Sequence, residues 1–350
     1  MGNLTRRIFL AAGGATAAAA LTQVQRPQRA IAQTGELNLY SARHYNTDDE
    51  LYAGFTQQTG IRVNLIEGDA DALLERVLNE GQNSPADVYM TVDAGRLWRA
   101  QEAGILSPVS SPTLEANIPE NVRHPDGLWF GFSKRARVIM YNKDRVNPAD
   151  LSTYEDLADP KWRGRILVRT STNIYNQSLM ASILEANGPA ATEEWARAFA
   201  ANLARPPEGN DTAQIESAAA GLGDIAIANT YYLARIGASD DPARQAIYDK
   251  MGVFFPNQDG RGAHVNISGA GVLRTAPNRA AAIAFLEYLS GRMAQVFFAQ
   301  GNYEYPVLRG TAIDPLLADF GNFKEDSVNV EVLGRRSAEA VQIADRAGWR

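Results

Sequence analysis

Four tyrosines and one histidine stand where three predicted strands give way to helices. They occur in "YSARHYNTDD" from Tyr40, in "VRTSTNIYNQ" from Val168 and in "IANTYYLA" from Ile227. Ligands of α/β proteins bind at the carboxyl ends of strands, so two facing lobes would bring these side chains together across one cleft. Phenolic oxygens with one imidazole suit a hard, strongly charged metal ion, and ferric iron fits. The candidate ligands are His44, Tyr45, Tyr175, Tyr231 and Tyr232.

Tyr231 and Tyr232 are neighbours, which constrains their local structure. On a strand they would point to opposite faces, and in a helix interior they would lie about 100° apart around the axis. In the first turn of a helix both can face the space beyond the sheet edge, with Thr230 as the predicted N-cap. The partial positive charge of a helix N-terminus favours phenolate over phenol. For any single one of the 13 tyrosines, packing as a half-buried aromatic is the alternative.

The elements that must position these residues follow an α/β order. Beginning with "ELNLY" at Glu36, the pattern predicts three βα units, which indicates a mostly parallel sheet with right-handed crossovers. Residues 128–143 and 263–273 look extended and would pass between two lobes, with a second α/β run between them. A helix capped by Thr47 is predicted after the first strand, and further helices are predicted from about Ala70, Asn173, Thr192, Pro277, Gly291 and Ser337 and around Ile215.

The N-terminal segment has the features of an export signal. Arg6 and Arg7 in "TRRIFL" resemble the twin-arginine motif, and a weakly apolar run over residues 8–21 precedes a small-residue site ending at Ala32. The run is shorter than the about 20 apolar residues of a membrane span, so we expect no stable membrane insertion. The sequence therefore predicts a twin-arginine signal peptide over residues 1–32 and a periplasmic location.

Composition excludes several classes of function. The chain contains no cysteine, which excludes disulfides, zinc–thiolate sites, iron–sulfur clusters and a lipid-modified N-terminal cysteine. Without the four signal arginines, Lys and Arg fall from 34 to 30 against 40 acidic residues, a net charge of −10. We therefore expect no nucleic-acid partner. No nucleophile–base pair, paired catalytic carboxylates or HExxH motif is found, so we expect no enzyme.

The motifs of this chain resemble those of the periplasmic ferric-ion-binding proteins of ABC iron uptake systems, most closely the FutA type. The resemblance covers nearly the whole chain after the signal. It implies an α/β, two-lobed periplasmic binding protein fold of class II, transferrin-like, with hinge strands between the lobes and one ferric ion in the interlobe cleft. It further implies Tyr231 and Tyr232 as the central ligand pair, joined by Tyr175, Tyr45 and His44. The motifs are "LYSARHY", "FTQQTGIRV", "PADVYMTVD", "SKRARVIMYN", "PKWRGRI", "IANTYYLARI", "SGAGVL" and "EYPVLRG".

The same resemblance implies the function and the division into lobes. Lobe 1 would comprise residues 33–130 and 262–312, and lobe 2 residues 131–261 and 313–350. The protein would be a monomer that captures Fe³⁺ as cargo and delivers it to an ABC transporter permease, without catalysis. An anion or polyamine receptor on the same fold, without metal, stays open because a fold does not fix its ligand. An exported enzyme is the third candidate, on account of the twin-arginine signal.

One position departs from the pattern of the family. Where its better-known branch has a ligand glutamate after the "PADVYxT" segment, this chain has Val92. The first lobe must then contribute through His44 and Tyr45, or leave that side of the ion to water or an anion. Asp93 is disfavoured as a ligand, because neighbouring strand residues face opposite sides.

The net charge of the proposed metal site requires a cation nearby. Four tyrosinates around one ferric ion leave a net charge of −1, which is costly to bury alone. The candidates for the balancing cation are Arg43, Arg135 and Arg235, and a solvated or structural arginine is the alternative for each. His124 and His264 are expected to be structural.

Overall fold

The computed structural model describes residues 35–43, 45 and 47–350 of the chain. The predicted signal peptide and His44 lie outside the described residues. Within the described part, no helix combines the length and the apolar composition that crossing a membrane requires.

The first part of the chain forms three βα units, as the sequence predicts. Gly60, at φ 76°, ends the first helix with a left-handed residue, and the Asp69 side chain caps the second by accepting from two backbone amides. Thr47 precedes the first helix, but its hydroxyl bonds Asn302 at 2.7 Å instead of capping. The elements are β1 (Gly35–Ser41), α1 (Asp48–Thr59), β2 (Ile61–Glu67), α2 (Ala70–Glu80), β3 (Val88–Val92), α3 (Ala94–Glu102) and α4 (Pro112–Asn117).

The second run begins with the long extended segment that the sequence predicts. Its elements are β4 (Phe130–Asn142), β5 (Ile166–Leu167), α5 (Ile174–Asn187), α6 (Pro189–Ala201), α7 (Asp211–Ala219), β6 (Ile225–Asn229), α8 (Thr230–Gly237), α9 (Pro242–Lys250) and β7 (Met251–Phe254). The return segment and tail then contribute β8 (Val265–Val272), α10 (Arg279–Ser290), α11 (Arg292–Val296), β9 (Tyr305–Pro306), α12 (Pro315–Ala318), α13 (Glu331–Arg335) and α14 (Ser337–Arg346).

The strands pair in the order β2-β1-β3-β8-β4-β6-β5, with β7 and β9 also beside β4. β1 pairs in parallel with β2 and β3, and β5 pairs in parallel with β6, which agrees with the predicted βα units. Every pairing of β4 and β8 is antiparallel, because β8 runs back along the path of β4. The prediction of a mostly parallel sheet is therefore wrong for its centre.

Two lobes meet along β4. Its first half pairs with β8 and its second half with β6 and β7. The first lobe is the body around the core that includes Leu39, Phe55 and Phe285, and the second lobe is the body around two further cores that include Trp195 and Leu233. The predicted boundaries between lobes stay a prediction. Residues 330 and 333, which that prediction assigns to lobe 2, pack with the first core.

Helix α13 packs closely against the first lobe through a glycine. Gly334 is buried, and a Cβ built on it would stand 2.2 Å from the Cβ of Trp98 on α3. A side chain there needs the two helices to move apart, although alanine is intrinsically the better helix former.

We predict that Gly334→Ala lowers the free energy of unfolding by about 1–3 kcal/mol, because overpacking outweighs the gain in helix propensity. Urea unfolding measures it. Gly260→Ala is the control, since its Cβ would meet nothing nearer than 3.7 Å. Equal midpoints for the two variants would contradict the prediction.

Candidate metal centre

The adjacent tyrosines lie at the start of α8, directly after β6. The predicted N-cap Thr230 is instead the first helical residue, and Asn229 holds the cap position without a side-chain cap bond. Tyr231 is buried and Tyr232 half-buried. Their ring centroids are 4.3 Å apart with the planes 33° from one another. The first turn of the helix therefore keeps both phenols at the sheet edge, as expected.

Tyr175 comes to the same place from the first turn of α5. The Asn173 side chain caps this helix and accepts from the Tyr175 backbone amide at 3.1 Å. The Tyr231 hydroxyl lies 3.4 Å from the Tyr175 hydroxyl. Two phenolic oxygens from different helices of the second lobe thus stand within reach of one small ion.

Tyr45 approaches from the first lobe, after β1. The guanidinium carbon of Arg235 lies 4.9 Å from the ring centre of Tyr45 and 4.9 Å from that of Tyr231. One arginine of α8 thus contacts tyrosine rings from both lobes. The structure therefore brings together all four predicted tyrosines, whereas His44 lies outside the described residues.

These phenols hold their protons strongly in the absence of metal. Burial raises the pKa of Tyr231 well above its usual value, and the nearby Tyr175 and Tyr45 raise it further. Burial, followed by Tyr175 and Asp211, raises the pKa of Tyr232 to about 12. Burial and Glu304 raise the pKa of Tyr45, against the opposing effect of Arg43. Without metal, Tyr45, Tyr231 and Tyr232 are therefore protonated at neutral pH.

Two of the three candidate arginines are buried and share one carboxylate. Arg43 donates to Asp48 at 2.9 Å and to Glu304 at 3.2 Å, and its guanidinium carbon lies 4.5 Å from the Tyr45 ring centre. Arg135 lies 3.9 Å from Glu304 and 5.4 Å from the Tyr175 ring centre. Its Nε and Nη2 atoms are buried without a hydrogen-bond partner among the described residues.

Glu304 is a site residue that the sequence reasoning missed. It is fully buried, and its Oε1 accepts from Ser268 at 3.2 Å while its Oε2 accepts from Arg43. The sequence feature that could have indicated a buried carboxylate is the single acidic residue among aromatic and apolar residues in "YEYPVL".

Arg137 was also missed, although it stands two residues after Arg135 on β4. It donates to Asn176 at 2.7 Å, to Asn229 at 3.2 Å and to Asp211 at 3.2 Å. Asn176 follows Tyr175, and Asn229 precedes the adjacent pair. One buried guanidinium therefore fixes the two helix starts that carry the second-lobe tyrosines.

His264, His124 and Asp93 make contacts of their own that hold them in place. Burial, aided by Arg261 and Arg137, lowers the pKa of His264 to about 3, so this buried imidazole is neutral. His124 accepts from the Asp126 amide at 3.0 Å and packs edge-on to Trp129. Both histidines hold structural positions. The Asp93 carboxylate accepts hydrogen bonds from Gly95, Ser178 and Asn266.

Five cavities of about 170 to 670 Å³ in the described part of the chain have none of the four tyrosines in their walls. The same part contains no group of three His, Cys, Asp or Glu placed to hold a metal.

The sequence profile described as "Bacterial extracellular solute-binding protein" matches residues 83–321. The chain belongs to this family. Iron uptake protein A1 of Synechocystis sp. is 56% identical to this solute-binding protein over 99% of both chains. The Fe(3+)-binding periplasmic protein of Serratia marcescens is 31% identical over 92% of both chains. The resemblance to the FutA type is confirmed by these relatives together with a solved structure.

That structure is of FutA (IdiA) from Trichodesmium, in complex with iron and citrate ligands. It is 62% identical, with a TM-score of 0.88, and the match covers 90% of this chain and all of the other. The predicted two-lobed solute-binding fold is confirmed by this match.

We predict that Glu304→Gln lowers the free energy of unfolding of the iron-free solute-binding protein by about 3–5 kcal/mol, because it removes the carboxylate beside the buried Arg135 and leaves Arg43 with Asp48 alone. Urea unfolding at neutral pH measures it. Glu36→Gln, which breaks the exposed pair with Arg62, serves as the control and should cost less than about 1 kcal/mol. A similar loss in both variants would refute a countercharge role for Glu304.

Proposed function

We propose that this protein captures ferric iron in the periplasm and presents it to the permease of an ABC transporter. The ligands are Tyr45, Tyr175, Tyr231 and Tyr232, with His44 as the fifth. The observation that carries the proposal is the convergence of four tyrosines from two lobes, with two of their hydroxyls 3.4 Å apart. The names of the relatives, which describe iron uptake and Fe(3+) binding, support it.

Phenolate is a hard anionic donor, so it matches a hard trivalent cation. Because the phenols of the empty cluster are protonated, binding must replace protons with the ion. Iron affinity therefore falls as the solution is acidified, since protons compete for the same oxygens.

The buried charges around the cluster suit this exchange. Arg43, Arg135 and Arg235 provide three positive charges, and Asp48 and Glu304 provide two negative ones. The remaining positive charge balances the −1 of a ferric ion with four tyrosinates. The three candidate arginines thus share the balancing role instead of leaving it to one.

An anion receptor without metal is the second candidate. The observation that favours it is the pair of buried Arg135 nitrogens without a partner in the described residues, which point to an acceptor group. The same nitrogens are equally available to an anion that binds beside the iron.

The proposal also covers the lobes and the mode of action. Residues 33–130 with 262–312 and residues 131–261 with 313–350 would close on the ion as two bodies. The protein would act as a monomer by binding alone, in keeping with relatives described as binding and uptake proteins.

We predict that iron-free protein titrated with ferric citrate becomes red to orange through tyrosinate-to-iron charge transfer. About four protons should leave per ferric ion after correction for the chelate, one for each phenol. Tyr231→Phe and Tyr232→Phe should each release about one proton fewer and lose much of the colour. Absorbance and pH-stat measurements on the same sample give both quantities.

Two control variants distinguish the proposed tyrosine ligands from other residues, and the proton count distinguishes iron binding from an anion receptor. His44→Ala should change the proton count little, because a neutral imidazole binds without losing a proton. Tyr248→Phe, whose half-exposed ring packs near Phe320, should change neither quantity. Fewer than two protons per ion, or full colour in the double variant of Tyr231 and Tyr232, would favour the anion receptor.

The proposed route of export is the twin-arginine pathway. We predict that replacing Arg6 and Arg7 with lysine leaves uncleaved precursor in the cytoplasm, because the pair is the part of "TRRIFL" that this pathway reads. Immunoblots of cell fractions measure it, and Arg26→Lys is the control. Normal periplasmic yield from the double variant would indicate the general secretory route.

A further inference from the structure

Asp93 occupies an unusual backbone conformation between β3 and α3. Its φ is 85° and its ψ is 125°, a region that residues with a side chain rarely adopt. Asn257 and Tyr303 are the other two non-glycine residues with positive φ in the described part. Such strain persists only where the surroundings hold it, and it is often found at functional positions.

The Asp93 carboxylate is buried and receives three hydrogen bonds. Oδ1 accepts from the Gly95 amide at 2.8 Å and from the Ser178 hydroxyl at 2.7 Å. Oδ2 accepts from the Asn266 side-chain amide at 2.8 Å. Because all three partners are donors, the position requires two acceptor oxygens, which a carboxylate supplies and an amide does not.

The three donors belong to three different parts of the fold. Gly95 is the second residue of α3, whose buried face packs in the first core. Asn266 lies on β8, and its side-chain oxygen also accepts from the Ala94 amide at 2.9 Å. Ser178 lies on α5, whose neighbours Leu179 and Met180 pack in the second-lobe core. The carboxylate therefore joins the first lobe, the return strand and the second lobe at one point.

Ser178 also has a fixed relation to the proposed iron site. It follows Tyr175 by three residues on α5, so the two side chains lie on the same face, one turn apart. The helices α3 and α5 approach closely here, since a Cβ on Gly95 would lie 3.5 Å from Ile174 and 3.8 Å from the Ser178 hydroxyl. A rotation of the second lobe away from the first would separate Ser178 from α3. Tyr175 would move with Ser178, because both lie on α5.

We propose that the hydrogen bond from Ser178 to Asp93 is an interlobe latch that holds the cleft closed around the ion. Asp93 is then a positioning residue that acts on iron retention without touching the metal. The inference rests on the proposed function, because retention presupposes that iron binds. Opening the cleft breaks a bond to a charged, buried acceptor, and bonds of this kind are stronger than neutral ones.

The test compares two buried serines of the same helix. Ser178→Ala removes the interlobe donor, whereas Ser182→Ala removes a hydroxyl that accepts from Arg261 at 2.7 Å. Full-length mature protein is loaded with ferric iron and mixed with excess chelator, and the decay of the visible band gives the release rate. We expect Ser178→Ala to release iron about tenfold faster, equivalent to ~1.4 kcal/mol. The position of the band should not move, because the ligands are unchanged.

Ser182→Ala should release iron at the wild-type rate even where it lowers the unfolding midpoint. The urea unfolding midpoint of each iron-free variant gives its general loss of stability. These two measurements separate a latch from a general loss of stability, which would accelerate release in both variants.

A second variant keeps the test decisive if Ser178→Ala folds poorly. Asp93→Gly tolerates the positive φ and removes the acceptor, so it should also accelerate release, and adding Ser178→Ala to it should change the rate no further. Equal release from wild type and Ser178→Ala, or additive effects in the double variant, would overturn the latch. A wild-type protein that forms no coloured ferric complex would instead overturn the proposed function.

Discussion

The cost of burying charge constrains this structure more than any other interaction. Arg43, Arg135 and Arg137 are among its largest fully buried side chains. A buried guanidinium without a partner is very unfavourable, so each must be paired or hydrogen-bonded. Arg43 is paired with two carboxylates and Arg137 with one. Arg135 is the least satisfied of the three: it donates to Ser268 and lies 3.9 Å from Glu304, but two of its nitrogens have no partner in the described residues, against one nitrogen of Arg43. The incompletely satisfied charge lies beside Tyr175, where the proposed ion would bring negative phenolates.

The strand β4 explains why these charges collect between the lobes. Arg135 and Arg137 are two residues apart on it, so their side chains leave the same face of the sheet. The strand pairs with β8 as far as Ala136 and with β6 from Arg137 onward. Arg135 is therefore the last residue but one of the first pairing region, and Arg137 is the first residue of the second. The strand that joins the lobes, β4, therefore also carries the positive charges of Arg135 and Arg137 into the region between them.

Much of this arrangement was predictable from local sequence. The βα units follow from hydrophobic periodicity, and the tyrosines were found because they follow strands directly, where α/β folds place their ligands. Local rules failed at two caps: Thr47 bonds a distant asparagine, and Thr230 lies inside the helix that it was predicted to cap. Cap chemistry is a weak preference, and tertiary contacts override it.

The partners of the buried charges were not predictable, for a physical reason. Arg43 and Glu304 are 261 residues apart in the chain, and Arg137 and Asp211 are 74 apart. No period or spacing relates such residues. They meet because two lobes and a returning strand close on one another. The sequence identifies atoms that suit a ferric ion, but which charges balance them is decided by the tertiary fold.

Capture and release would then depend on two separate interactions. The phenols must lose protons to bind, and their burial raises the cost of that loss in the empty site. Under the proposed function, the ion would offset this cost only when Tyr45 and the second-lobe tyrosines surround it together, because one or two phenolates compensate less of its charge. Lobe closure would then be as necessary as the ligands themselves. A contact that stabilises closure outside the coordination sphere, such as that between Asp93 and Ser178, can adjust retention without altering selectivity for the metal. The same separation would let a permease that pulls the lobes apart release the ion without competing for it chemically.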